Sequence, residues 1–264
     1  MDKNLKSAVE IICLLLLYTL ESYHPLFLGR KQRANHAARN LLMRFLNLCV
    51  IYAVFSAFLA LGTYWTFEHS FGLLNWLPGP SWTKTALGFL LYDLYMYLIH
   101  RVNHAVPFLW RFHRVHHTDD QVDVTTALRF HFGEQLITAF VFRLGIVPLL
   151  GLTLEQMLFY EIFSKPLILF HHSNIALPEP IDRILRALVV SPNMHRVHHS
   201  KWLPETNSNY ASFFSFWDRL GRSFRWHEDP KTIDYGLPEF TASAWQTIPG
   251  MLKTPLAPVR PPSD

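Results

Sequence analysis

Nine of the fifteen histidines in this chain fall into clusters whose spacing suits metal ligation. His100 and His104 form an HxxxH, and His113, His116 and His117 form an HxxHH. His172 follows, and His195, His198 and His199 repeat the HxxHH. On a helix, residues three and four apart share a face, so each cluster turns its imidazoles in one direction. Neutral imidazole is the commonest side-chain metal ligand, and one ion rarely takes more than four or five nitrogens. Nine clustered nitrogens therefore predict two metal ions. A lone HxxxH arises by chance in helices, whereas two HxxHH triplets beside one do not. Imidazole suits iron, copper, nickel and zinc alike. No HExxH is present, so a zincin-type protease has no motif support.

Spacing also picks out supporting residues. Asp93, Tyr97, His100 and His104 lie on one helical stripe, which predicts that Asp93 accepts a hydrogen bond from a ligating imidazole and fixes its tautomer. The plainer alternative for Asp93 is a polar contact between helices. Asn174 and Asp218 are further candidates for that supporting role. Glu161 and Lys165 are four residues apart and would neutralise each other. His131 is a candidate tenth ligand or a residue of the substrate entrance. His171 points about 100° away from His172 on a helix and reads as a bystander. His24, His36, His69 and His227 stand alone and read as surface or interfacial residues.

These clusters need elements to carry them. Half of the 264 residues are hydrophobic and 17% are charged. Phe45 to Phe67 carries no formal charge, and as a helix would be roughly 34 Å long, enough to span a bilayer. Weaker candidates are Ile11–Leu20, Thr85–Ile99 with Asp93, Leu136–Leu152 with Arg143, and Leu154–Leu169 with Glu155, Glu161 and Lys165. Together they predict an all-α, polytopic bundle of four to five hydrophobic segments with internal polar groups. The N-terminal run lacks a basic lead and a small-residue cleavage site, so it reads as a retained membrane helix.

The net charge of +4 forms no patch of the kind that binds nucleic acid. Arg30, Lys31, Arg33, Arg39 and Arg44 crowd the segment before the clear span, and no Lys or Arg follows it from Glu68 to Ser81. That asymmetry places residues 29–44 in the cytoplasm. Alternating the spans from there brings all nine clustered histidines to the cytoplasmic face. Cys13 and Cys49 have no CxxC partner and predict neither a disulfide nor a zinc knuckle. Residues 1–248 read as one domain, and the proline-rich tail 249–264 as a free extended segment.

The same residues resemble a known family, the fatty acid hydroxylase and sterol desaturase superfamily of integral-membrane non-haem di-iron enzymes. The resemblance rests on Asp93 with Tyr97-x-x-His-Arg-x-x-His, then Leu109-Trp-Arg-Phe-His-Arg-Val-His-His and Thr126-Ala-Leu-Arg-Phe-His. It continues through His172-Ser-Asn, Ser191-Pro-Asn-Met-His-Arg-Val-His-His-Ser, Asn209-Tyr and Phe216-Trp-Asp-Arg-Leu-Gly-Arg-Ser-Phe. It covers about residues 90–226, and the second half is most similar to the sterol branch. It implies that the nine clustered histidines hold two iron ions in a cytosolic, histidine-rich helical cap on a membrane bundle. Two departures stand out: Phe132 where the family often has proline, and Arg222-Ser223 where it often has Gly-Thr.

The expected activity is an O2-dependent di-iron oxidase that hydroxylates or desaturates an unactivated C–H bond of a lipid, sterol or fatty-acyl. Two electrons would come from a separate ferredoxin or cytochrome b5-like donor, because the chain has no haem or flavin motif. Arg101, Arg111, Arg114 and Arg196 would either dock that donor or hold the fold. The rival from another class is a histidine-rich metal transporter, which would place its ligands at mid-membrane on broken helices or repeats.

Overall fold

The computed structural model describes residues 3–28, 30 and 32–258, without the side chains of 3, 55–63, 66, 67 and 143. Among the described residues the chain is helical, with three isolated β-bridges and no strand. Five long segments build the bundle: α1 (Lys3–Tyr23), α2 (Arg33–Glu68), α3 (Ser81–Ala105), then, after α4 (Pro107–His117), α5 (Phe132–Val141) and α6 (Leu154–His172). A π-turn over Phe142–Ile146 and a short helix Val147–Leu150 prolong α5. The short helices α7 (Glu179–Leu188), α8 (Pro192–His198) and α9 (Ile248–Lys253) belong to the cap.

Local sequence sets these boundaries. Val106 is extended because Pro107 follows it, so α3 ends there and α4 starts with proline at its first position. Thr153 and Gln156 form a reciprocal capping box at the start of α6. Gly151 adopts a left-handed φ of 71° before it, and a Cβ there would meet the Phe71 carbonyl and the Asn75 amide. Ser191 caps α8 by accepting from the Met194 N–H, with Pro192 at its first position. α6 packs against α1, α3 and α8, which joins the bundle to the cap.

Two stretches, Arg33–Val54 and Phe132–Leu150, are long and apolar enough to cross a membrane. The other segments expected to span do form helices, but Glu10, Asp93, Glu161 and Lys165 keep them below that mark. Large apolar side chains face outward on α1 and α2, among them Ile11, Ile12, Leu15, Phe45 and Leu48. A water-exposed surface rarely carries so large an apolar patch, and such patches mark contacts with membranes or partners.

The cap departs from expectation at three places. His36 is buried at 7% exposure, with Nε2 2.8 Å from Asp119 Oδ1 and Nδ1 3.2 Å from Asp123 Oδ2. Its partners lie more than eighty positions away, so nothing near it in sequence announces them. Burial opposes the charge on Asp119, but His36, Arg129 and the Thr126 hydroxyl outweigh it and hold that carboxyl well below the usual carboxylate range. Second, the tail does not hang free as far as it is described. α9 and the turn Thr254–Leu256 dock on α4, with Met251 buried against Met43 and Val115. Residues 259–264 lie outside the described residues.

Third, two of the four arginines considered for docking a donor are internal clamps. Arg114 is fully buried and donates to the carbonyls of Thr254 at 2.7 Å, Ala257 at 2.6 Å and Pro258 at 3.1 Å. Arg196, also buried, donates to the carbonyls of Ser173 at 2.8 Å and Ile175 at 2.7 Å, and to Asn193. The repeated His-Arg-Val-His-His thus does the same double work twice. Its histidines join the neighbouring histidine clusters, while its buried arginine and fully buried valine fasten the helix.

Met251→Ala leaves a cavity between α2, α4 and α9 and should cost about 3 kcal/mol of stability. Thermal unfolding in detergent, followed by near-ultraviolet circular dichroism, checks this. An unchanged midpoint would mean that the tail does not support the cap.

Candidate metal centre

The structure brings all nine clustered histidines together, in two adjoining groups. His100, His104, His113, His117 and His198 form one, and His116, His172, His195 and His199 the other. Within each group the potential ligand atoms lie within 4.8 Å of one another. α3 supplies His100 and His104, α4 supplies His113, His116 and His117, and α6 ends on His172. α8 and the residue after it supply the rest. Helical spacing explains the division: His113 and His117, four apart, enter one group, while His116 turns towards the other.

Outward hydrogen bonds orient these rings. Nδ1 of His100 donates to the Tyr210 carbonyl at 2.8 Å, that of His172 to Ile168 at 2.7 Å, and that of His198 to Ser208 at 2.7 Å. A carbonyl only accepts, so the proton sits on Nδ1 and the Nε2 lone pair points inward. Nδ1 of His113 meets Glu134 Oε1 at 2.8 Å, and that of His104 meets Asn207 Oδ1 at 3.2 Å. The inward nitrogens then crowd each other. His100 Nε2 lies 3.0 Å from His198 Nε2 and 3.1 Å from His113 Nε2. His172 Nε2 lies 3.0 Å from His195 Nε2 and 3.2 Å from His116 Nε2. With Nδ1 protonated on His100, His172 and His198, their Nε2 atoms only accept. Between His100 and His198 two lone pairs therefore face each other at 3.0 Å and repel unless a cation lies between them.

Unsatisfied atoms agree. His104 Nε2 and both ring nitrogens of His199 are buried without a hydrogen-bond partner among the described residues. Burial, and after it the neighbouring imidazoles, holds the rings of His116, His117, His195 and His198 well below the usual imidazole range, and burial does the same at His199. Neutral, desolvated imidazoles with inward lone pairs are what a transition metal requires, so the residues present fit two ions.

The supporting residues differ from expectation. Asp93 meets no imidazole. It accepts from the Tyr160 hydroxyl at 2.7 Å, the Trp217 indole at 2.8 Å and the backbone N–H groups of Phe213 and Phe214. Its helical stripe with His100 holds, but the carboxylate sits two turns away and pins a different loop. Asn174 exchanges hydrogen bonds with the Phe27 backbone and touches no ligand. Asp218 acts at one remove, since it accepts from the N–H of Tyr210, whose carbonyl orients His100. His131 lies outside both groups. Its Nδ1 accepts from the Gly133 N–H and caps α5, which consumes the lone pair a metal would need.

Sequence reasoning passed over Glu134, buried beside His113, whose only signal was its place three residues after His131. His171 is buried too, with its ring centroid 4.1 Å from that of His195, although it belongs to neither group. Arg222 adopts a left-handed φ of 56°, the conformation that the family's usual glycine would take there without strain.

A cavity of about 270 Å³ opens from the histidines into the bundle. His100, His113, His116, His172 and His195 stand at one end, and Met96, Ile99, Ile168 and Leu169 line its middle. The arrangement can hold metal against the end of a narrow, mostly apolar channel.

Residues 85–223 match the sequence profile of the fatty acid hydroxylase family. The chain is 34% identical over 161 residues to an ornithine lipid hydroxylase of Rhizobium tropici, covering 60% of this chain and 46% of that protein. It is 30% identical over 169 residues to human alkylglycerol monooxygenase, covering 62% and 34% respectively. With human cholesterol 25-hydroxylase it shares 28% over 133 residues, covering 50% and 47%. No solved structure matches. Its histidine boxes, its cage of inward imidazoles and a profile match over half its length place the chain in the fatty acid hydroxylase family.

Proposed function

We propose that this chain is a multi-pass membrane lipid hydroxylase with two iron ions in the nine-histidine cage. The observation that carries this is the set of crowded, inward-facing Nε2 atoms at the end of an apolar channel. Relatives named for hydroxylation and monooxygenation of lipids support insertion of oxygen over desaturation. The higher identity to the ornithine lipid hydroxylase than to cholesterol 25-hydroxylase supports a non-sterol lipid as the substrate, in place of the sterol-type preference drawn from the second half. Bound iron would supply the activation of O2 and the removal of hydrogen from carbon, with two electrons from a separate ferredoxin or cytochrome b5-like donor.

The chain's own residues do the rest. Carbonyls of Tyr210, Ile168 and Ser208 hold three imidazoles in their metal-binding tautomer. Glu134 steadies His113 and keeps a second carboxylate oxygen, Oε2, without a partner among the described residues. The channel walls exclude water and place one C–H bond against the cage. Residues 29–44 lie on the cytoplasmic side in this proposal, and the cap with them.

Mass spectrometry of lipids from cells expressing the protein, against its His198→Ala variant, tests the activity. A lipid that gains one oxygen in the wild type alone is the expected result. Identical lipidomes, with both proteins folded and an electron donor present, would sink the proposal and favour a metal-flux assay in liposomes. Elemental analysis should find two irons per chain, reduced by His198→Ala in one group and by His195→Ala in the other.

Acid sensitivity gives a further check. The folded, metal-stripped protein holds His116, His117, His195, His198 and His199 neutral, whereas the unfolded chain protonates them near pH 6.5. Their contribution to stability is therefore fully present above about pH 6.5 and is lost as pH falls below it. Unfolding midpoints of the stripped protein should drop between pH 7 and pH 5, by less when iron is bound.

A further inference from the structure

The far end of the cavity carries charge that the oxidation of an alkyl chain does not need. Glu10, Arg44, Glu161 and Lys165 all line it, where α1, α2 and α6 meet. Arg44 donates to Glu10 at 3.4 Å, and Lys6 pairs with Glu161, which also accepts from the Tyr92 hydroxyl at 3.4 Å. Three cations thus face two carboxylates among the described residues. Glu161 pairs directly with Lys6. Lys165 feels the Glu10 and Glu161 carboxylates at longer range but makes no hydrogen bond or salt bridge among the described residues. A cation inside a bundle without a direct partner is costly, and such residues are usually paired or functional.

Two more polar groups on the same walls are unpartnered. Asn47 Oδ1 and the Tyr95 hydroxyl are buried without a hydrogen bond among the described residues, in side chains 1% and 8% exposed. Asn47 donates its amide N–H to the Phe130 carbonyl, and its oxygen has no partner beside the cavity. Arg44 immediately precedes the uncharged stretch that starts at Phe45, so in the topology proposed above this charged layer lies at the cytoplasmic edge of that stretch. Lys165 and His172 are seven residues apart on α6, a rise of about 10 Å, and face the same cavity.

We propose that the cavity binds the anionic head of an amphiphilic lipid, a carboxylate or a phosphate ester, at Lys165. Asn47 and Tyr95 meet the uncharged polar atoms beside that head. The hydrocarbon then runs past Ile168, Leu169, Met96 and Ile99 to the histidines. This names the substrate class of the hydroxylase proposed above and rests on that reading. It also makes the distance from Lys165 to the cage a ruler that selects the carbon oxidised, counted from the head.

Binding is measured apart from oxidation, so the two readings can fail separately. Iron-loaded protein in phosphatidylcholine nanodiscs is titrated with radiolabelled palmitate, hexadecyl phosphate and hexadecanol. The wild type should prefer at least one of the anions to the alcohol by on the order of tenfold or more. The preferred anion tells a carboxylate from a phosphate. Lys165→Met should erase that preference, with hexadecanol binding and iron content unchanged, and Lys165→Arg should keep it. No preference in the wild type, or a preference that survives Lys165→Met, overturns the proposal. In an oxidation series over chain lengths, the new hydroxyl should stay at a fixed count from the head; a fixed count from the methyl end would overturn the ruler. Binding that depends on Lys165 without any oxidation would leave the site standing and remove the hydroxylase reading.

Discussion

Repulsion among inward-facing imidazole lone pairs is the constraint around which this fold is organised. The Nε2 atoms of His100 and His198, held 3.0 Å apart in a desolvated space while both Nδ1 atoms donate to carbonyls, store unfavourable energy that a bound cation relieves. The protein holds them there by giving each ring a fixed outward partner or a packed wall. Three of those partners are backbone carbonyls, which cannot change protonation and so set the tautomer at any pH where the chain is folded. Side-chain acceptors at His113 and His104 leave those rings more adjustable.

Fixing nine rings demands rigid elements behind them, and the arginines of the two His-Arg-Val-His-His segments provide that. Each is buried and donates to backbone carbonyls from another part of the chain. A guanidinium offers five donors in a planar fork, so a single side chain can gather several carbonyls that no helix or strand would satisfy. Arg114 thereby draws the end of the chain onto α4, and Arg196 ties α8 to the segment that leaves His172. The His36–Asp119–Arg129 network serves the same end on the α2 side, where Arg129 also holds the Val115 carbonyl at 3.1 Å.

What the sequence revealed follows from which interactions are local. Metal-ligand spacing is written in steps of three and four residues, so all nine histidines could be picked out. Asp93 was correctly seen to be unusual, because a carboxylate in an apolar helix always needs partners. Its partners, more than sixty residues onward, leave no local trace; of the two readings for Asp93, the contact between helices, with Tyr160, is the one that forms, and the imidazole is not. His36 failed in the same way, and the tail failed because proline content reports local stiffness and says nothing about docking. The span count rests on side-chain environment: Glu161 and Lys165 lower the apolarity of α6, yet both face an internal cavity instead of lipid.

That cavity shows how the two halves of the molecule depend on one another. Apolar-faced helices alone could not hold the histidine cage, whose desolvated nitrogens require the hydrogen-bonded cap. The cap alone has no apolar wall of its own beside the histidines. α3 and α6 solve both problems, because each runs through the bundle and ends in a cluster ligand, His100 and His104 on one and His172 on the other. Met96 lies one turn below His100 and Ile99 directly precedes it, while Ile168 and Leu169 lie one turn below His172, so the apolar wall and the histidines share the same two helices. Any shift of either helix moves wall and ligand together, which keeps the distance between a bound chain and the metal site constant as the bundle breathes.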